Sequence, residues 1–117
     1  MPQEAYYRFF SHSAEFNQLQ RDRVVHTTNP HGRGETWFTP TRFEDPVDAQ
    51  RLLALQRTPQ FRVGPIPADE MPDFDVCGPR RIQPAYGQPG GAGEVCTTMP
   101  VFIFGCYNFG SRDWEPL

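Results

Sequence analysis

Gly87-Gln88-Pro89-Gly90-Gly91-Ala92-Gly93-Glu94-Val95 is the stretch on which the reading of this chain turns. Four glycines and a proline lead into one carboxylate, and an apolar run follows through Val101-Phe102-Ile103-Phe104. The glycines break any helix here and let the backbone approach a ligand or adopt positive φ. The stretch reads as a loop that feeds the last strands, Val95 to Met99 and Val101 to Tyr107. Glu94, at the mouth of that loop, is a candidate catalytic group; the plainer alternative is a solvated acid at the start of a strand.

Upstream of the loop, Arg81 to Pro84 reads as a short strand and Pro72 to Pro79 as an acidic loop. Gln60 to Ile66 reads as a strand limited by Pro65 and Pro67. Asp45-Pro46 opens the clearest helix, since Asp is a good N-cap and Pro suits the first helical position. Val47, Ala49, Leu52 and Leu53 would form its apolar side, with Pro59 marking its end. Thr36-Trp37-Phe38-Thr39 is a short strand stopped by Pro40, after a loop over Asn29 to Gly34 and a strand over Val24 to Thr28. Ser13 can cap a short helix that carries Phe16 and Leu19 on one face. Ala5-Tyr6-Tyr7-Arg8-Phe9-Phe10 is a first strand with an arginine inside an aromatic run. The order of strand, helix, strands, helix and further strands predicts an α+β domain with antiparallel sheets and two short helices.

With 117 residues the chain is expected to form one domain, 1–117. Thirteen Pro and ten Gly argue against a helical bundle, and ten Phe supply core volume where the hydrophobic fraction is only 38%. A net charge of −3 argues against a nucleic-acid surface, which needs clustered basic charge. All eleven basic residues are arginine. Coding bias explains this, and so does a protein that enters foreign cytosol and avoids lysine modification. Cys77, Cys96 and Cys106 leave at least one thiol free, and one disulfide can form without an assignable pairing. They show no metal-ligand spacing, so no metal is expected. No membrane-spanning run is present.

Arg8 is costly within an aromatic strand unless paired. It is either an edge arginine facing water or a fixed fork for phosphate or carboxylate. Trp37 and Phe38 are core residues or an aromatic wall for a flat heterocycle, with a neighbouring threonine hydroxyl orienting a carboxylate.

Phe61-Arg62-Val63-Gly64-Pro65-Ile66-Pro67, followed by Arg81-Ile82-Gln83-Pro84-Ala85-Tyr86 and the glycine loop to Glu94, resembles the tuberculosis necrotizing toxin family. That family carries a similar strand and a Gly-Gln-Pro-Gly-Gly-Gly loop followed by a catalytic glutamine. The resemblance runs over roughly Phe61 to Phe104, and Glu94 stands where the family has glutamine. The upstream half is similar to arginine-class ADP-ribosyltransferase toxins: an early strand with Arg8, a middle strand with Trp37-Phe38-Thr39, then Glu94. Thr36 and Thr39 match that family's Ser-Thr-Ser pattern loosely. Ala92 stands where arginine-modifying transferases place a Glu or Gln.

These resemblances imply an ADP-ribosyltransferase-like split antiparallel β-sheet core with two short helices. They imply NAD+ as substrate and cleavage of its nicotinamide–ribose bond, by an NAD glycohydrolase or a mono-ADP-ribosyltransferase. Glu94 would stabilise the oxocarbenium-like transition state and Arg8 would hold the pyrophosphate, so these two are the catalytic candidates. Trp37 or Phe38 would stack on nicotinamide; Thr39, Arg62 and Gln88 complete the NAD+-binding set, Arg62 as a second phosphate ligand. The resemblances also imply a toxin, the C-terminal module of a larger secreted protein, that acts in a target cell's cytoplasm in interbacterial competition. A cognate immunity protein and a macromolecular ADP-ribose acceptor would be its partners, with no membrane. The alternatives are a metal-independent ribonuclease toxin using His12, His26 or His31, a non-catalytic binding module, and a cysteine nucleophile.

Overall fold

The computed structural model describes residues 5–11, 13–25, 36–67, 69, 80–97, 101–103 and 105–116, with the backbone alone at 13–15 and 24–25. Strand β1 (Ala5–Phe10) is followed by helix α1 (Ser13–Asp22), β2 (Val24–Val25), β3 (Thr36–Phe38) and helix α2 (Pro46–Leu52). Then come β4 (Phe61–Pro67), β5 (Arg80–Arg81), β6 (Gly93–Thr97), β7 (Val101–Phe102), β8 (Gly105–Asn108) and β9 (Asp113–Pro116). The class is α+β with antiparallel sheets and two short helices, as the element order predicts.

Two sheets matter for the site. One has the order β1-β4-β8-β9, the other β3-β6-β5, and a small β2-β7 pair stands beside them. Among the described residues, one antiparallel bridge joins the two larger sheets. Tyr7 and Thr39 exchange both backbone hydrogen bonds, each 2.8 Å. The junction therefore brings the middle of β1, which carries Arg8, beside the end of β3, which carries Trp37.

Strand alternation in β1 divides its aromatics between two clusters. Tyr6 and Phe10 join the main core with Leu19, Phe38, Phe61 and Val63. Tyr7 and Phe9 join Phe43 and Ala49 in a second cluster. Phe61 is stacked between Phe16 of α1 and Phe10, at centroid separations of 4.4 and 5.2 Å. These ring contacts fix α1 against the first sheet.

Asp45 caps α2 as its sequence predicts, accepting the Val47 N–H at 2.7 Å, with Pro46 as the first helical residue. The rest of that helix differs from expectation. It ends at Leu52, well before Pro59. Ala54 adopts φ +52°, and Leu55 N–H reaches back to Gln50 O while Ala54 N–H reaches Arg51 O. This is a Schellman closure built without the glycine that usually marks it. Ala49 is fully buried and Leu53 half-buried, but Val47 and Leu52 face solvent, so the apolar side is narrower than the pattern suggests.

Four strand expectations also differ: the run Val101 to Tyr107 is divided into β7, which pairs with β2, and β8, which pairs with β4 and β9. β4 continues through Pro65 to Pro67, because the β1–β4 register shifts between Tyr6 and Arg8 and accommodates the proline in the irregularity. β5 is Arg80–Arg81, and 82–84 carries no strand. β9 carries little apolar signal in the sequence, with alternating charges and a lone tryptophan. The expected loops at 29–34 and 72–79, together with His12, His26, His31, Cys77 and Phe104, lie outside the described residues.

Candidate active site

The glycine loop joins β5 to β6, and the register of that pair sets the site. Arg80 lies opposite Glu94, and Arg81 opposite Gly93. On the other edge of β6, β3 places Trp37 opposite Cys96. Three neighbouring strands thus bring Trp37, Arg80 and Glu94 together. Arg80 Nε donates to Glu94 Oε1 at 2.7 Å, and its guanidinium carbon lies 4.1 Å from the Trp37 ring centroid. The Glu94 side chain is 14% exposed and that of Arg80 is 58% exposed.

The loop itself works differently from its sequence reading. Gly90 has φ +68°, and a Cβ there would lie 2.6 Å from the Ile82 carbonyl oxygen. Gly90 N–H donates to Arg51 O and Ala92 N–H to Leu52 O. The close approach that glycine allows is therefore to the backbone of Ile82 and Gln83, while the loop's N–H groups bond the C-terminal carbonyls of α2. The loop is a brace that fixes where β6 begins.

Thr39 contributes to the same bracing. Its hydroxyl donates to Gly93 O at 2.7 Å and accepts from Thr41 N–H at 3.3 Å. It positions Glu94 through the backbone, where the sequence suggested a contact with the carboxylate itself. Arg8 Nη1 donates to Trp37 O at 3.3 Å, which ties the first sheet to the second at the site.

Arg8, Trp37, Phe38, Thr39 and Glu94 all line one cavity of about 90 Å³, with Tyr7, Phe9, Leu53, Leu55 and Ile82. Five sequence-predicted residues from three strands and a bridge therefore converge. Larger cavities flank it and share its lining. One, about 300 Å³, is bounded by Arg8, Phe9, Leu55, Gln56 and Arg57. The other, about 400 Å³, is bounded by Leu53, Arg80, Arg81, Ile82 and Glu94. The first shares Arg8 with the central cavity and the second shares Glu94, so arginines and a carboxylate border adjoining spaces.

The remaining expectations divide. Phe38 is 2% exposed and belongs to the main core, so of the two aromatics Trp37 offers the accessible ring. Thr36 is buried opposite Thr97 and lines none of the three cavities. Arg62, expected at a phosphate, is instead buried: Nη1 donates to Phe43 O at 2.8 Å, and the guanidinium lies over Tyr107 and Phe109. Gln88 lines none of these cavities; its backbone pairs in a tight turn with Ala85, which borders the one beside Arg80. Arg80 and Arg57 were not singled out from sequence; the Arg80-Arg81 doublet just before the loop was the available signal.

Cys96 is disulfide-bonded and Cys106 is a free, buried thiol. Burial, reinforced by the Glu115 carboxylate on the paired strand, pushes the Cys106 thiol up to about 12. Such a thiol carries almost no thiolate near neutrality, which removes Cys106 as a nucleophile. Among the described residues, no group of His, Cys, Asp and Glu could hold a metal ion, and no helix is long and apolar enough to cross a membrane.

Compared with protein-family models, curated proteins and solved structures, the chain matches none.

Proposed function

We propose that this chain binds NAD+ in the Arg8–Trp37–Glu94 cleft and cleaves the bond between nicotinamide and ribose. The carrying observation is the convergence of Arg8, Trp37, Thr39 and Glu94, distant in sequence, on one cavity. Two antiparallel sheets meeting at the Tyr7–Thr39 bridge are compatible with a split β-sheet core and support this reading.

In this reading the pyrophosphate lies by Arg8, with Arg57 replacing Arg62 as the second cation. Nicotinamide lies against Trp37 and its ribose beside Glu94. The C1′–N bond breaks heterolytically, and its electron pair neutralises the pyridinium nitrogen. Positive charge develops on the ribose as in glycoside cleavage. The Glu94 carboxylate stabilises that charge and accepts a hydrogen bond from the 2′-hydroxyl. Water, or a nucleophile on an acceptor, then bonds to C1′ and loses its proton. Fixed electrostatics of this kind commonly contribute about 2.7–4 kcal/mol for one well-placed group.

Ala92 lacks the carboxylate or amide that arginine-modifying transferases place there. Hydrolysis, or transfer to a different acceptor, is the form we propose. The toxin setting, with delivery into a target cell and a cognate immunity protein, belongs to the same proposal.

A second reading has an observation of its own. The Arg80–Glu94 contact is an ordinary cross-strand ion pair, as a non-catalytic binding module would carry. Mass spectrometry of NAD+ reactions with and without cell lysate separates the cases. Free ADP-ribose without lysate means hydrolysis, ADP-ribose attached to a macromolecule means transfer, and intact NAD+ in both favours the binding module.

A further inference from the structure

We infer that the gap between Trp37 and Glu94 is a subsite for a planar organic cation, and that Arg80 is its resident occupant, displaced when that cation arrives. The identity of the natural ligand, the pyridinium ring of NAD+, rests on the function proposed above; the ligand class rests on the geometry.

A guanidinium is a flat, delocalised cation. Arg80 lays it 4.1 Å from the centroid of the Trp37 ring and gives Nε–H to Glu94 at 2.7 Å. An aromatic face and an adjacent carboxylate are the two contacts that would hold a pyridinium in the same place. The walls of this gap are fixed. Glu94 is 14% exposed, and its strand is braced by the Thr39–Gly93 hydrogen bond and by the loop's bonds to α2. The occupant is held less firmly. Its side chain is 58% exposed and its strand is only two residues long, both exposed. Exposed ion pairs and exposed cation–π contacts are each weak, so the occupant can exchange with a competing cation.

The arrangement has consequences for turnover. While Arg80 is in place, Glu94 Oε1 is engaged and Trp37 is covered on one face. A pyridinium that replaces the guanidinium keeps a positive charge beside Glu94, so the carboxylate is never left alone. Cleavage sends the bonding pair to the ring nitrogen and leaves neutral nicotinamide, which the carboxylate no longer prefers. Return of Arg80 then expels the product. Arg80 acts as a competitor for substrate and an aid to product release.

The test measures binding of the 1-methylnicotinamide cation, which carries neither ribose nor phosphate, by titration calorimetry. Arg80→Ala is expected to bind it about tenfold more tightly than the unaltered chain, the scale of the weak contacts removed. Arg80→Lys, which keeps the charge but not the flat stack, is expected to fall between. Neutral nicotinamide, which Arg80 also displaces from the Trp37 face, is expected to bind more weakly than the cation throughout and to tighten in Arg80→Ala as well. Equal or weaker binding of the cation by Arg80→Ala overturns the inference; should that variant not fold, absence of a gain in Arg80→Lys overturns it. Nicotinamide release from NAD+, measured alongside, separates the two claims. A tighter cation site with no NAD+ cleavage sinks the proposed function and keeps this subsite. Cleavage with no gain in cation binding does the reverse.

Discussion

The Thr39 hydroxyl donates a 2.7 Å hydrogen bond to the carbonyl of Gly93, the residue before Glu94. It links the strand that carries Trp37 to the strand that carries Glu94, so the aromatic wall and the carboxylate are held at a fixed separation. Thr39→Val keeps the shape and removes the donor, leaving the Gly93 carbonyl without that partner. We expect a loss of about 1–3 kcal/mol in urea unfolding, the usual cost of such an orphaned group. NAD+ cleavage should fall mainly through kcat, with KM little changed, and Thr39→Ser should restore it. A change in KM alone would make Thr39 a ligand instead of a brace.

Gly90 tests whether the glycine loop is a brace or a cradle. Gly90→Ala puts a methyl group 2.6 Å from the Ile82 carbonyl oxygen, at a positive φ that alanine rarely adopts. The left-handed backbone alone costs about 1–2 kcal/mol, and the clash adds to it. We expect a clear fall in Tm, with saturating NAD+ unable to recover the original value. If stability is unchanged and only KM rises, the loop contacts substrate directly.

Arg62 separates a buried structural cation from a phosphate ligand. Its bond to Phe43 O and its stack on Tyr107 and Phe109 predict that Arg62→Leu destabilises the chain. A buried carbonyl left without its charged donor costs about 1–3 kcal/mol. KM for NAD+ should stay near its original value in the fraction that folds, whereas Arg57→Ala should raise it. The opposite pattern would return Arg62 to the binding set.

Cys106 gives a pH signature. Folding raises its thiol from the ordinary 9.0 to about 12, chiefly through burial. The folded chain therefore holds this proton to higher pH than the unfolded chain does. The resulting stability is fully present below pH 9.0 and is lost as pH rises toward about 12. At pH 8 iodoacetamide should leave Cys106 unmodified in the folded protein and label it after denaturation, as read by peptide mass. Rapid labelling of the native chain would contradict the burial argument.

Much of this was legible in the sequence because it depends on local chemistry. Asp45-Pro46 predicts the start of α2, and the aromatic run predicts β1. Arg8, Trp37, Thr39 and Glu94 could be singled out by residue type and by resemblance. What was not legible depends on pairing across distance. Arg80 meets Glu94 only through the β5–β6 register. Arg62 reads as a phosphate ligand until Tyr107 and Phe109 are seen beneath its guanidinium. α2 stops at Leu52 because the backbone turns left-handed at Ala54, which alanine does not announce. β9 is polar in pattern, and its Trp114 finds its place by lying against Gly105.

In the function proposed here Glu94, which lines one cavity with Trp37 and Arg8, drives cleavage of the nicotinamide–ribose bond. Free nicotinamide released from NAD+ by the purified chain, compared with its Glu94→Ala variant, tests this most directly. Steady release by the unaltered chain is expected, with a loss of about 10²–10³-fold in the variant, the range typical for removing one preorganised electrostatic group, and circular dichroism unchanged. Equal release by the two proteins, or none by the unaltered chain even with cell lysate as acceptor, would contradict it.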